Sequence, residues 1–284
     1  MKSILACIDA SAYAESVCDL AVWVAQRSAC AIALLHVIQR NDSISARNDW
    51  SGAIGLGVKT ELLEALTAID ETHAKISIQR GHLLLDAAEE RCLAAGITDV
   101  KGVHRHGGIV ETITELEANA ELIVIGKRGA SSSFAADHIG SKVERVIRAS
   151  TKPVLVAAAS ASQINRIVLA FDGSEYARRA LNFVGTSLLF KGLEIHLVSV
   201  AQDDEMSGRL LDTAVAILKT HDIDATSTIL HGDPAEAIAS YAAEARCNLL
   251  VMGAYGHSHL RHLIVGSTTT SLVRIMNCPV LLVR

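Results

Sequence analysis

The chain is written twice. The segment LIVIGKRGASSSFAADHIGSKVERVIRASTKPVLVA, ending at Ala157, aligns with LLVMGAYGHSHLRHLIVGSTTTSLVRIMNCPVLLV at the end of the sequence. Each copy reads as an apolar strand, a G-x2-G turn, a polar loop, Gly-Ser, a helical stretch and a Pro-Val-Leu strand. The openings match too: SILACIDAS (Ser3 to Ser11) parallels RIVLAFDGS (Arg166 to Ser174), with Asp9 and Asp172 closing the two strands. Between them IALLHVIQR pairs with IHLVSVAQD, and VHRHGGIVE with ILHGDPAEA. A whole domain is duplicated, with a period far above the roughly 20 to 50 residues of a solenoid.

In the second copy, strands at 167–171, 194–200, 224–230, 248–252 and 279–283 alternate with helical patterns near 175–190, 206–220, 234–246 and 267–276. Ala177, Ala180, Leu181, Val184 and Leu188 share one helix face, as do Ala14, Val17, Cys18, Ala21 and Val24 in the first copy. Half of the 284 residues are hydrophobic but only 4% are aromatic, so the cores are built from Ala, Val, Leu and Ile. That suits strands buried on both faces of a parallel sheet, joined by right-handed crossovers. The reading gives a domain over 1–157 and a second over 164–284, linked by the small, polar, aperiodic Ala158 to Gln163. Asp9 to Gly126 spans 117 positions and Asp172 to Gly253 only 81. The extra length falls near 41–95, where a Gly-rich loop and a long Leu-, Ala- and Glu-rich helix are expected, as padding over the sheet edge.

Chemistry is expected at the glycine loops. In the second copy G-x2-G-x9-G-S comprises Gly253, Gly256, Gly266 and Ser267, directly after the run Leu249 to Met252. Glycine lets the backbone approach an oxyanion with no Cβ between. A helix opening at Gly266-Ser267-Thr268-Thr269 offers unpaired N–H groups, hydroxyls and a positive dipole end, which together suit phosphate.

Composition narrows the field. A net charge of −5 argues against nucleic acid as partner. No apolar run reaches the roughly 18 residues of a membrane span, and Asp9 comes too early for a signal-peptide core. The six scattered cysteines read as reduced core thiols of a cytoplasmic protein.

With five strands per copy, a terminal Asp and G-x2-G-x9-G-S before a Pro-Val-Leu strand, the chain resembles the universal stress protein family in its tandem form. The resemblance covers all but the linker and the inserted region. It implies an α/β fold of two tandem Rossmann-like doubly wound domains, each with a five-stranded parallel sheet in the order 3-2-1-4-5 flanked by helices. It implies ATP or another adenine nucleotide as ligand, with magnesium accompanying ATP, a stress-response or regulatory role, an unknown protein partner and dimerisation through the last strand. Carried over residue by residue, the adenine edge would meet Asp172 and the backbone near Ala170 and Val200. The phosphates would lie over Gly253, Gly256, Gly266, Ser267 and Thr268, beside Met252 and His257. A second nucleotide site in the first copy would use Asp9, Val37, Gly126, Gly129, Gly140 and Ser141. Ligands of open α/β sheets bind at the carboxyl ends of strands where the strand order reverses, which agrees with this placement.

The first copy departs from the pattern. Ten residues, not nine, separate Gly129 from Gly140, and Asp9-Ala10-Ser11 replaces Asp-Gly-Ser. The stronger site is therefore expected in the second copy. Lys127 and Arg128 add charge that would favour phosphate. His257, His259 and His262, and His104 with His106, lack the convergent partners of a zinc site, so no metal site is expected. With no GxxxxGK[ST] loop, no second acidic metal ligand and no evident base, dedicated catalysis is not expected and hydrolysis of ATP would be slow. Two other readings stay open: an ATP hydrolase or phosphoryl or nucleotidyl transferase, and an adaptor that binds a protein or apolar ligand beside the insertion. The two apolar final strands are expected to bring the copies together, face to face, as a pseudo-dimer within one chain.

Overall fold

Apolar runs flanked by turn residues become strands, and the amphipathic stretches between them become helices, in the computed structural model of the chain. It describes residues 3–38, 56–129, 140–160, 162–201, 203–254 and 267–284. The first half runs β1 (Ser3–Cys7), α1 (Ala14–Ser28), β2 (Ala31–Ile38), α2 (Leu56–Ala94), β3 (Val100–His106), α3 (Ile109–Leu116), β4 (Ala120–Gly126), α4 (Ser141–Ala149) and β5 (Val154–Ala157). The second half repeats it: β6 (Arg166–Ala170), α5 (Glu175–Thr186), β7 (Glu194–Val200), α6 (Asp204–Lys219), β8 (Ala225–Leu230), α7 (Pro234–Glu244), β9 (Leu249–Gly253), α8 (Ser267–Ile275) and β10 (Val280–Val283).

All ten strands form one sheet, in the order β3-β2-β1-β4-β5-β10-β9-β6-β7-β8. Each half has the 3-2-1-4-5 order with parallel pairing throughout. The halves meet where β5 pairs antiparallel with β10, in the register Val280 with Val156, Leu281 with Leu155 and Leu282 with Val154. The final strands do come together, but edge to edge. Continuing a ladder satisfies the backbone groups of both edges, which face-to-face packing would leave open.

Two apolar layers cover the sheet, and each crosses the seam. One collects Ile4, Leu34, Leu155, Leu281, Ile167 and Leu197 under α1, α2, α5 and α6. The other collects Leu5, Ile123, Val156, Val280, Val168 and Leu250 under α3, α4, α7 and α8. Cations reach across as well. Lys127 Nζ donates to the carbonyls of Arg274 and Met276, at the end of α8. Arg284 donates 2.7 Å hydrogen bonds to the carbonyls of Arg148 and Ser150, at the end of α4. Positive charge at a helix C-terminus is favourable in both places.

The 39 residues of α2 make it about 58 Å long at 1.5 Å per residue. Its C-terminal part docks on β2 and β3 through Gly81, Leu85, Ala88 and Cys92, all buried and spaced for one helix face. Arg91 fixes that end to α1 by two hydrogen bonds to Asp19, of 2.7 and 3.0 Å.

Leu281, fully buried at the seam, tests whether the halves stand as one body. Leu281→Ala should cost about 2–5 kcal/mol. Urea unfolding followed by circular dichroism should show one transition at a lower midpoint; two separated transitions would mean that each half holds its core without the other.

Candidate functional site

The strand order reverses between β1 and β4, and here the first half opens into a cleft of about 480 Å³. Its floor is apolar: Cys7, Ile8, Val37, Ile109 and Ile125. Burial and the neighbouring Asp9 charge push the Cys7 thiol up to about 12, so the floor carries a neutral thiol rather than a nucleophile. Asp9 stands at one side; its Oδ1 accepts the Ser11 N–H at 3.1 Å and so shapes the turn into α1. Opposite lie Gly126, Arg128, Gly129, Gly140, Ser141 and Lys142. Gly140 opens α4 with no side chain capping it. Its own N–H is bound to the Lys127 carbonyl at 3.2 Å, which closes the loop back on the strand end. The helix start, two cations and a hydroxyl thus face a cleft of the size that small-molecule sites have.

All six residues expected for the first-half site, Asp9, Val37, Gly126, Gly129, Gly140 and Ser141, line this one cleft. The lining residues not expected from the sequence include His36 from β2, and Ser77, Arg80 and Leu84 from α2. The inserted helix is therefore more than padding, since it forms a wall of the cleft. Its signal in the sequence is the spacing of Ser77, Arg80 and Leu84, which repeats every three to four residues beside the buried Gly81 and Leu85.

The second half places Ala170, Val200, Met252 and Gly253 at the carboxyl ends of β6, β7 and β9, with Ser267 and Thr268 opening α8. Asp172 follows β6, and its Oδ1 accepts the Ser174 N–H at 2.9 Å; Ser174, not Asp172, caps α5. Thr269 Oγ1 donates to the Ala254 carbonyl at 3.2 Å, fastening α8 to the strand end. Gly256, His257 and Gly266, together with His259 and His262, lie outside the described residues. The two turns differ in shape: Gly173 has φ +72° and sits under Leu210 of α6, whereas Ala10 stays out of the left-handed region and lines the open cleft.

The structure adds contacts at two of the expected positions. The first glycine of each loop is required by packing. A Cβ on Gly253 would lie 2.7 Å from the Tyr176 carbonyl carbon, and one on Gly126 would lie 2.7 Å from Tyr13 Cβ. Each strand end thus abuts the first turn of the helix beside it. Lys127 serves the seam rather than a phosphate, and burial together with Arg128 lowers its affinity for a proton. Among the described residues no cluster of three or more His, Cys, Asp or Glu is arranged to hold a metal ion, and no helix is long and apolar enough to cross a membrane.

The sequence profile of the universal stress protein family matches residues 1–158 and 163–284. The universal stress protein Slr1230 of Synechocystis is 35% identical over 288 aligned positions, covering all of both chains. A universal stress protein of Thermus aquaticus is 32% identical over 133 positions, 42% of this chain and 97% of its own length. The crystal structure of a universal stress protein from Archaeoglobus fulgidus superposes with a TM-score of 0.72 at 23% identity, covering 99% of this chain and 96% of the other.

The packing role of the glycines is measurable without ligand. Gly253→Ala meets backbone that cannot move aside and should cost about 1–3 kcal/mol in urea unfolding. Gly140→Ala, with φ −59° and its nearest atoms 3.6 Å away, should stay within about 0.5 kcal/mol of wild type. Equal losses at both positions would contradict the assignment.

Proposed function

Because the chain belongs to the universal stress protein family, we propose that its first-half cleft binds an adenine nucleotide, ATP in particular, and that the liganded state is read by a protein partner in a stress response. The observation that carries this reading is the convergence of Asp9, Val37, Gly126, Gly129, Gly140 and Ser141 on one cleft of about 480 Å³. A planar base fits the apolar floor between Val37 and Ile109. Asp9 offers a carboxylate acceptor to an exocyclic amine or a ribose hydroxyl. The phosphates fall to the start of α4 with Arg128 and Lys142, where helix N–H groups and charge act together. Magnesium would travel on the phosphates, as it does where few protein ligands are supplied. Among the described lining residues the carboxylate is Asp9. The second-half site, the stronger one on the sequence reading, would use Ala170, Asp172, Val200, Met252, Gly253, Gly256, His257, Gly266, Ser267 and Thr268. The free thiols Cys7, Cys18, Cys30, Cys92, Cys247 and Cys278 fit a reducing compartment such as the cytoplasm.

Calorimetric titration of the full chain with ATP, AMP and adenosine tests the reading. Gly129→Val brings a branched side chain beside Asp9 Oδ2, which would be 3.1 Å from its Cβ, and should weaken ATP by about tenfold or more, 1.4 kcal/mol. Arg128→Gln should weaken ATP while sparing adenosine. ATP binding unchanged by both substitutions would remove the first-half cleft from the function, and no binding by wild type would overturn the proposal itself.

The α2 wall makes a separate prediction. Arg80→Gln should lower nucleotide affinity by roughly 0.5–1.5 kcal/mol, the worth of one charge-assisted contact at a partly open site. An unchanged affinity would mean that Arg80 borders the cleft without touching its ligand.

A further inference from the structure

Four imidazoles meet where α2 crosses the sheet beside the cleft. The ring of His104 lies 5.3 Å from that of His36, 4.9 Å from His82 and 6.0 Å from His106, measured between centroids. They come from three elements: β2, α2 and β3. The helix can approach this closely only because residue 81 is glycine. A Cβ there would stand 2.5 Å from His104 Nε2 and 2.8 Å from His36 Cδ2. His104 Nε2 is buried with no hydrogen-bond partner among the described residues. His36 Nδ1 lies 2.8 Å from the Ile8 carbonyl, which only accepts, so the hydrogen is on Nδ1.

The charged groups around the cluster leave a cation there poorly served. On α2 they are Arg80, one residue from Gly81, exposed Asp86, one turn beyond His82, and Glu89, whose Oε1 is bound to the Gly102 N–H at 2.8 Å, two turns along the helix. On β3 Arg105 donates to the His104 carbonyl at 3.3 Å, and β2 contributes His36. Burial and the three neighbouring imidazoles hold His104 below its ordinary proton affinity. The sign follows by linkage. A histidine whose docked pKa is depressed favours docking fully at pH above its free value, and that contribution is lost as pH falls through it.

We propose that this histidine cluster is a proton-sensitive latch, in which protonation lifts α2 from β2 and β3 and withdraws the Ser77–Arg80–Leu84 wall from the first-half cleft. A charged His104 requires a hydrogen-bond partner at Nε2, and that atom is buried without one while α2 is docked. Ser77, Arg80 and Leu84 lie within one turn of Gly81 on the same helix, so they move with it. The effect on ligand rests on the nucleotide reading of the cleft; the latch itself does not. By reciprocity, a nucleotide that contacts the α2 wall holds the cluster neutral.

Hydrogen exchange on the full chain without nucleotide, expressed as protection factors, tests the latch at about pH 7.5 and about pH 5.5. Residues 77–94 should lose up to about tenfold in protection on acidification, because pH 5.5 lies about one unit below the free histidine value, while α6 is unchanged. His104→Gln, neutral throughout, should flatten the response of α2. His82→Gln, at an exposed position, keeps the packing and should reduce the response in part. Gly81→Ala should show the acid-like protection already at neutral pH. An α2 response equal in wild type and both histidine variants overturns the latch, as does protection falling together in α2 and α6. Titration with ATP at the two pH values then separates the two readings. Affinity that weakens with acid in wild type and not in His104→Gln supports the link, whereas an α2 response with no change in affinity, or with no binding, overturns the link to the cleft and leaves the latch standing.

Discussion

Everything in this molecule depends on the three-residue ladder in which Val280, Leu281 and Leu282 pair with Val156, Leu155 and Val154. A five-stranded parallel sheet whose last strand is wholly apolar cannot leave that edge in water. The duplicated half supplies an edge of the same composition, and antiparallel pairing satisfies both. Because the pairing continues the sheet, the apolar layers above and below also continue, and β5 and β10 each become central strands. Lys127 and Arg284 then find the carbonyl ends of α8 and α4 within reach. The charge that the first glycine loop carries on Lys127 is thereby committed to holding the halves together.

The same fold in both halves does not produce the same site. In the second half, α6 is a 16-residue helix whose Leu210 packs on the Gly173 turn, and Gly173 needs its positive φ for that contact. In the first half, α2 brings polar Ser77 and Arg80 to the cleft, and Ala10 in an ordinary conformation lines the space instead. One insertion between the second and third strands therefore adds polar side chains to the wall of the first-half cleft. Gly81 is the residue that permits it, since any side chain at that position would push the helix off the histidines beneath.

Most of the fold was legible in the sequence because its signals are local and repeated. The apolar runs ending at Asp9 and Asp172, the Pro-Val-Leu strands and the helix faces each specify an element without reference to anything distant, and the duplication checks each reading against its copy. Of the candidate site, the residues on strand ends and at the start of α4 were legible for the same reason. Ser77, Arg80, Leu84 and His36 were not, because whether a helical position faces a cleft depends on how the helix lies across the sheet. That angle is set by contacts between residues such as Gly81 and His104, 23 positions apart and dissimilar in type. The edge-to-edge join was half legible: apolar edges predict contact, but only the need to pair backbone groups decides its direction.

Gly126 and Gly253 show that a glycine read for its chemistry can also be required by packing. Each was read as a point of approach for phosphate, and each is also held against backbone or side-chain atoms at the start of the first helix of its half. The two accounts are compatible in one physical sense. A strand end pressed against the start of α1 or α5 cannot shift, so the next loop starts from a fixed point, from which Gly129 and Gly140 join Gly126 in lining the cleft. Tight packing at the first glycine is what gives the remainder a defined position, and a site built on loop backbone needs that anchor more than it needs a further contact. Substituting the first glycine therefore acts through the scaffold and substituting the second through the cleft, so a loss of binding at Gly126 or Gly253 carries no information about phosphate unless stability is measured beside it.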